Sequence, residues 1–237
     1  MTSSLLTTVY LISPDLFLLV MVGVVIGVVS FADVKSSLPY YIVQLSLVGA
    51  FFLTILLFKE QAGILLLLHG QYVIDRLALL SKLSIYLLSF LAFFYTRDTF
   101  VIASPRFLRA WRSHDQSSGI PHQEYYLLGL LAVLGMSVMV SAYTFLTIYL
   151  GLELLSLVLY AMIALDKTSS LAPEGAMKYF VLGSFASAWL LYGISIIFGL
   201  TGSIQINTLS YLIGHRESLA LMMALVFVLG GLLFKFG

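Results

Sequence analysis

Residues 124–165 read EYYLLGLLAVLGMSVMVSAYTFLTIYLGLELLSLVLYAMIAL and contain two charged side chains, Glu124 at the start and Glu153 further on. A transmembrane helix needs about 20 apolar residues to cross the hydrocarbon core of a bilayer. The quoted stretch is roughly twice that length, so it predicts two adjacent spans joined by a tight turn near Ser141-Ala142-Tyr143. The fold class that follows is an all-α membrane protein.

Apolar runs of similar length recur along the rest of the chain. We predict seven transmembrane helices, at residues 14–31, 38–58, 77–96, 124–141, 143–165, 172–199 and 218–237. Polar connections are expected at 59–76, 97–123 and 200–217.

The composition agrees with a membrane protein. Of the 237 residues, 61% are hydrophobic and 10% are charged, against about 25% charged in a typical soluble domain. So few charges could not cover a soluble core of this size, which excludes a soluble enzyme, a nucleic-acid-binding protein and a disordered chain. The chain has no cysteine and no flavin or NAD motif, so we expect no iron–sulfur cluster or other redox cofactor in it.

The basic residues of the predicted loops favour an N-terminus outside the membrane. Inner loops are enriched in Lys and Arg. In this orientation the inner loops carry Lys35, Arg97, Arg106, Arg109, Arg112 and Lys167. The outer loops carry Lys59, Arg76 and Arg216.

Charged side chains inside the predicted spans support a functional hypothesis. A charge at mid-bilayer costs about 2.5–3.5 kcal/mol on insertion scales, so each one needs a specific reason. Glu153 lies deep in its span, and Lys235 follows a long uncharged run. Lys178 lies in the sixth span, four residues after Glu174, with which it could form an i,i+4 pair. We interpret Glu153, Lys178 and Lys235 as an ion-transfer site. The simpler alternatives are a protonated or hydrogen-bonded packing residue for Glu153, a snorkelling side chain for Lys178 and, were the chain to finish there, a terminal anchor for Lys235.

A group of charged side chains of this kind can bind a proton and release it. Burial disfavours the charged form of a lysine, whereas a neighbouring carboxylate favours it. Moving the carboxylate of Glu153 would therefore change the proton occupancy of a lysine beside it. Hydroxyls expected to hold water nearby belong to Ser156, Ser184 and Ser187.

Local patterns give further structural expectations. Gly230-Gly231 predicts a distorted or interrupted helix just before Lys235. Lys82 is expected to snorkel to the membrane surface. Close helix packing is expected at two pairs of small residues four positions apart: Gly23 with Gly27, and Gly183 with Ser187.

Titratable residues also cluster in the connection at 97–123. His114, Asp115 and His122 lie there, and Glu124 follows. Their irregular order beside a Ser-Ser-Gly stretch is typical of a solvated loop, so no metal site is predicted.

Four motifs carry a resemblance to a known family. They are EYYLL at 124–128, LGLELLSL at 150–157, EGAMKYF at 174–180 and GGLLFK at 230–235. They resemble subunit N of bacterial NADH:quinone oxidoreductase (respiratory complex I), an antiporter-like membrane subunit. The resemblance is strong over 124–199, clear at 224–237 and weak over 1–123.

The resemblance implies a fold of fourteen helices with two inverted five-helix repeats, of which this chain is the N-terminal part. Residues 1–123 then form a variable three-helix region, and 124–237 form a first repeat that ends within its seventh helix. Glu153 matches the fifth-helix glutamate that tunes a neighbouring lysine. Lys178 matches a bridging lysine, and Lys235 the lysine of a broken seventh helix.

The implied function is proton translocation across a bacterial plasma membrane, coupled to electron transfer from NADH to quinone. The flavin, iron–sulfur clusters, NADH and quinone would be bound by partner subunits and none by this chain. Expected partners are the other membrane and peripheral subunits of complex I, with no nucleic acid. Two alternatives remain: an antiporter-like subunit of a cation/proton exchanger or membrane-bound hydrogenase, and a non-functional fragment or scaffold.

Overall fold

The computed structural model of the protein describes residues 2–31, 37–60, 63–102, 123–165, 171–207 and 219–236. The α-helices of this part of the chain are α1 (Thr2–Leu11), α2 (Ser13–Phe31), α3 (Leu38–Glu60), α4 (Arg76–Ile102), α5 (Gln123–Val140), α6 (Phe145–Ile163), α7 (Leu171–Thr201) and α8 (Leu219–Phe236). Two short strands, β1 (Leu65–Leu67) and β2 (Tyr72–Ile74), lie between α3 and α4.

The seven predicted spans are confirmed as helices α2 to α8, each long and apolar enough to cross a membrane. Their ends agree with the predicted ones within a few residues, except that α4 continues to Ile102, beyond the predicted end at 96. Several loop residues used for the predicted orientation lie outside the described part of the chain. These are Lys35, Arg106, Arg109, Arg112, Lys167 and Arg216.

Two groups of buried side chains form the interior. The first joins α2, α3, α4 and α5, and its most buried members include Leu18, Val43, Tyr86 and Leu130. The second joins α6, α7 and α8 through residues such as Leu152, Ile197 and Ala224. Helix α5 packs with α2 to α4 and also closely with α6, since a Cβ atom at Gly135 would lie 3.1 Å from the Gly151 carbonyl oxygen. The resemblance assigns α5 to the repeat that begins at residue 124. That domain boundary stays a prediction.

The expected polar connection at 59–76 instead contains a β-hairpin. Strands β1 and β2 pair antiparallel, with Leu65 opposite Ile74. The chain reverses at Leu68, His69 and Gly70, whose φ angles of 51°, 58° and 80° lie in the left-handed region. Aromatic and β-branched residues favour strands, which explains the sequence Tyr-Val-Ile in β2.

The tight turn predicted near Ser141-Ala142-Tyr143 is confirmed, and it is held by the hairpin. The Val73 amide donates to the Ser141 carbonyl at 2.8 Å, and the Tyr143 amide donates to the Gln71 carbonyl at 3.0 Å. Thr144 then caps α6, because its side chain accepts a hydrogen bond from the Thr147 amide at 3.3 Å. The hairpin thus fixes where α6 begins.

The prediction of a distorted or interrupted helix at Gly230-Gly231 is wrong, because α8 runs without a break from Leu219 to Phe236. A Cβ atom at Gly231 would lie 2.8 Å from the Ala186 carbonyl oxygen of α7. The glycine therefore permits α7 and α8 to approach closely.

Of the predicted small-residue contacts, Gly183 packs closely against Tyr160 of α6. Gly23 and Gly27 do not mark a close contact, since a Cβ atom at either would meet no described atom within 4 Å.

Candidate functional site

Glu153 lies two turns into α6, where its carboxylate meets groups from α7 and α8. Its Oε2 atom accepts a hydrogen bond from Ser187 Oγ at 2.6 Å and lies 3.2 Å from Lys235 Nζ. The side chain of Glu153 is 25% exposed and that of Lys235 is 8% exposed. Three spanning helices therefore bring a carboxylate, an amine and a hydroxyl together.

The Lys235 amine binds a second oxygen of α6. It donates to Ser156 Oγ at 3.1 Å, and the Ser156 hydroxyl donates to the Leu152 carbonyl at 2.7 Å. Residues three positions apart lie on the same face of a helix. One amine on α8 can therefore contact both Glu153 and Ser156.

A cavity of about 60 Å³ lies beside this ion pair. Its walls include Ser156, Tyr160, Tyr179 and Gly183, together with Lys235 itself. A cavity needs about 10–15 Å³ to hold one water molecule, which also requires polar partners. The cavity meets both conditions, so it has room for water beside the Lys235 amine.

Lys178 does not join this group. Its amine lies 2.5 Å from the Glu174 carboxylate, and the two side chains are 71% and 57% exposed. The i,i+4 pair expected between them is therefore confirmed. Ser187 lies nine positions after Lys178 on α7, about 13.5 Å of helical rise. The bridging role that the resemblance implies for Lys178 stays a prediction.

Of the three serines expected near the charges, Ser156 and Ser187 contact the ion pair. Ser184 instead donates to the Phe180 carbonyl of its own helix at 2.6 Å.

A second buried ion pair joins Asp15 of α2 to Lys82 of α4. The amine lies 2.8 Å from Asp15 Oδ2 and 3.0 Å from Oδ1, and the lysine side chain is 2% exposed. The prediction that Lys82 snorkels to the surface is therefore wrong.

The sequence did not single out Asp15, because an acidic residue in the first turn of a helix is favoured by the helix dipole and needs no other explanation. A signal existed: both residues lie near the starts of spans that run in the same direction, so they lie near the same membrane face.

Three hydroxyls complete the Asp15–Lys82 cluster. Tyr72 of β2 and Ser137 of α5 donate to the Asp15 carboxylate, and Tyr86 of α4 lies 2.8 Å from Ser137. Burial, and after it the Asp15 carboxylate, raises the pKa of Tyr72 above its ordinary range, so its hydroxyl keeps the proton that it donates. The cluster fastens the hairpin to α2, α4 and α5.

No group of three His, Cys, Asp or Glu side chains that could hold a metal ion occurs among the described residues. His114, Asp115 and His122 lie outside them, so the predicted solvated loop is not tested.

Comparison with known proteins relates most of the chain to one family. Residues 142–237 match the family described as NADH:quinone oxidoreductase/Mrp antiporter, TM. The chain is 41% identical over 228 residues to NADH-quinone oxidoreductase subunit N of Thioalkalivibrio sulfidiphilus, covering 94% of this chain and 44% of that protein. It is 38% identical over 229 residues to the subunit N of Coxiella burnetii, with the same coverage. The chain thus spans a little under half the length of these curated relatives.

Three solved structures have a fold similar to that of this chain. A chain of respiratory complex I from Thermus thermophilus matches with a TM-score of 0.65 and 26% identity, covering 92% of this chain and 43% of that one. The archaeal membrane-bound sulfane sulfur reductase matches with a TM-score of 0.70 and 21% identity, covering 95% and 44%. The Mrp complex of a Dietzia species matches with a TM-score of 0.68 and 18% identity, covering 93% and 40%. At these last two identities the likeness concerns the fold alone.

Proposed function

This chain belongs to the NADH-quinone oxidoreductase subunit N family of antiporter-like membrane proteins, and from that premise we propose that it moves protons across a membrane. The observation that carries the proposal is the Glu153–Lys235 ion pair, 3.2 Å long and formed between two spanning helices. An intramembrane charge pair beside a cavity is typical of proton and ion pathways.

The pair can act as a switch for one proton. In the observed contact the Glu153 carboxylate lies 3.2 Å from the Lys235 amine and compensates the charge of this buried lysine. When the carboxylate moves away, the buried amine loses that compensation and releases its proton to water in the adjacent cavity. Reforming the pair makes the amine ready to take up the next proton. Ser187 and Ser156 each hold one member of the pair in place.

The energy for this movement would come from partner subunits. We propose that the chain works within a multisubunit oxidoreductase in which the partners bind NADH, flavin, iron–sulfur clusters and quinone. The proposed location is a bacterial plasma membrane, with the N-terminus outside. The sequence support for this orientation is the excess of Lys and Arg in the inner loops.

The test is Glu153→Gln in the native assembled complex. The variant keeps the size of the side chain and removes its charge, so NADH-driven proton pumping into sealed vesicles should fall while the complex still assembles. Glu60→Gln is the matched control, because Glu60 is exposed at the end of α3 and contacts Tyr10. Undiminished pumping by Glu153→Gln would contradict the proposal.

A second candidate is an antiporter-like subunit of a cation/proton exchanger or a membrane-bound hydrogenase. The match of residues 142–237 to the family described as NADH:quinone oxidoreductase/Mrp antiporter, TM, supports it. The same ion pair would serve either function, so the site does not separate them. The two candidates can be separated by identifying the subunits that co-purify with the chain. NADH-dehydrogenase subunits would support the first candidate, and exchanger or hydrogenase subunits would support the second.

A further inference from the structure

We propose that the buried Asp15–Lys82 pair is a second proton-transfer site, in which Lys82 gives its proton to Asp15 during the pumping cycle and later takes it back. This inference rests on the proposed function, because it gives the pair a step in the same proton movement. The pair belongs to α2 and α4, whereas the Glu153–Lys235 pair belongs to α6 and α8.

The two ion pairs are built from the same chemical groups. At each of them a carboxylate, a lysine amine and a serine hydroxyl come from three different spanning helices, and the serine donates to the carboxylate. Ser137 of α5 takes this place beside Asp15, as Ser187 of α7 does beside Glu153. Ionisable groups inside spanning segments are candidates for proton pathways. The reason that selects the first pair therefore selects the second as well.

A purely structural role does not explain why this pair carries charges. The side chain of Lys82 is 2% exposed and that of Asp15 is 8% exposed, so both charges are removed from solvent. Apolar residues of similar volume often hold a fold as well as a buried ion pair does, or better. Apolar side chains could thus fasten the hairpin to α2 and α4. The charged groups add the ability to pass a proton.

The Tyr72 hydroxyl bridges the amine and the carboxylate. Lys82 Nζ donates to the Tyr72 oxygen at 2.5 Å, and the Tyr72 hydroxyl donates to Asp15 Oδ2. The amine also contacts Asp15 Oδ2 directly, at 2.8 Å. A proton can therefore leave the amine by the direct contact or through the hydroxyl, and both routes end on the same carboxylate.

The transfer through the hydroxyl balances within the cluster. A proton passes from the Lys82 amine to the Tyr72 oxygen as the Tyr72 proton passes to Asp15 Oδ2. The positive and negative charges disappear together, and the products are a neutral amine, a neutral hydroxyl and a neutral carboxyl group. The reverse shift restores the ion pair.

Both states of the cluster keep their hydrogen bonds, because a hydroxyl can donate and accept. In the ion-paired state the bonds run from Lys82 through Tyr72 to Asp15. In the neutral state they run the other way, since the carboxyl group donates to the Tyr72 oxygen and the Tyr72 hydroxyl donates to the amine nitrogen. Burial favours the neutral state, whereas the hydrogen bonds to the carboxylate favour the charged one. The cluster therefore has two states between which its surroundings can select.

Helix α5 connects this cluster to the part of α6 that carries Glu153. Ser137 lies between Gly135 and Met139, and both of these contact Gly151 of α6. A Cβ atom at Gly151 would lie 3.0 Å from the Gly135 carbonyl oxygen and 2.9 Å from Met139 Cβ. Glu153 follows Gly151 by two positions. Because close-packed interiors transmit strain, a change of charge at the Asp15 carboxylate, to which Ser137 donates, acts on α6 near Glu153.

Lys82→Arg in the native assembled complex is the first test. Arginine keeps the positive charge and can form two hydrogen bonds to a carboxylate, but it does not release its proton in proteins. The pair is then locked in its charged state, so we expect NADH-driven proton pumping to fall several-fold at matched amounts of assembled complex. Arginine would satisfy a purely structural role, so pumping by Lys82→Arg at the parent rate would overturn the proposal.

Lys59→Arg is the matched control, because it makes the same exchange at an exposed position of α3. It should pump at the parent rate. Unfolding in detergent checks that Lys82→Arg keeps the ion pair. This variant should be clearly more stable than Lys82→Met, which leaves the Asp15 carboxylate buried without a partner.

The double variant Asp15→Leu/Lys82→Met tests the opposite state and needs no room for a guanidinium group. It removes both charges and keeps apolar side chains in their place, so it should fold and assemble. The site is then locked without charge, and we expect pumping several-fold below the parent rate. Pumping by the double variant at the parent rate would show that the pair only holds the fold, and would overturn the proposal.

A parallel Lys235→Ala variant keeps the two proposals apart. If Lys235→Ala stops pumping while Lys82→Arg pumps at the parent rate, the second site fails and the proposed function stands. If Lys235→Ala also pumps at the parent rate, the proposed function fails, and the second site, which rests on it, fails as well.

Discussion

The amine of Lys235 lies 3.2 Å from the carboxylate of Glu153, although 82 residues separate them in the sequence. Two structural devices produce this contact. The hairpin holds the turn from which α6 starts, and the close approach of α7 and α8 at Gly231 brings the end of α8 to α6. Each device leads to a prediction that can be measured.

Ser187→Ala should lower proton pumping several-fold. The substitution removes the hydroxyl that donates to Glu153 at 2.6 Å, so the carboxylate is held less firmly toward Lys235. The matched control is Ser184→Ala on the same helix, since that hydroxyl bonds only the Phe180 carbonyl in the described structure. Pumping assays in vesicles compare the two, and equal rates for both variants would count against a role for the Ser187 hydroxyl.

Gly231→Ala should destabilise the protein by about 1–3 kcal/mol, the usual cost of overpacking. The added methyl group would lie 2.8 Å from both the Ala186 carbonyl oxygen and Leu190 Cβ, so α8 must move away from α7. Lys235 moves with it, and pumping should fall as well. The free energy of unfolding in detergent measures the first effect.

Gly23→Ala is the control for that substitution, because a Cβ atom there meets nothing within 4 Å. It should leave stability unchanged or raise it by up to about 1 kcal/mol, the gain expected for alanine over glycine in a helix. A similar loss of stability in both variants would contradict the packing explanation.

Lys82→Met should cost about 3–5 kcal/mol, because it leaves the Asp15 carboxylate buried without its partner. The double variant Asp15→Leu/Lys82→Met removes both charges and should be clearly more stable than the single variant. Lys59→Met, at an exposed position of α3, controls for the loss of a lysine. Detergent unfolding gives the comparison; a double variant no more stable than Lys82→Met would show that the cluster holds the hairpin by more than charge neutralisation.

The spans could be predicted from the sequence because their length is fixed by the bilayer. About 20 apolar residues identify a spanning helix whatever its neighbours are. Glu153 and Lys235 could be selected for the same reason, since a charge in such a run is conspicuous. The tight turn at 141–143 followed from the length of the apolar stretch.

The features that the sequence did not predict depend on which helices are neighbours. Asp15 and Lys82 are each ordinary near the start of a span, and only their contact is unusual. Gly231 looked like a helix breaker, whereas its role comes from the α7 backbone opposite it. Strands β1 and β2 have three residues each, too few to show a period. The separation of Lys178 from Glu153 likewise depends on how α7 is rotated about its own axis. The composition of the chain does not determine that rotation.

The most direct test of the ion-transfer site is the rate of proton uptake by sealed vesicles that contain the complex with Lys235→Ala, at matched amounts of assembled complex. If Lys235 carries the proton, uptake driven by NADH should be lost or reduced many-fold relative to the parent complex, while the Lys59→Met complex keeps its rate. Uptake by the Lys235→Ala complex at the parent rate would contradict the assignment of the Glu153–Lys235 pair as the proton-transfer site.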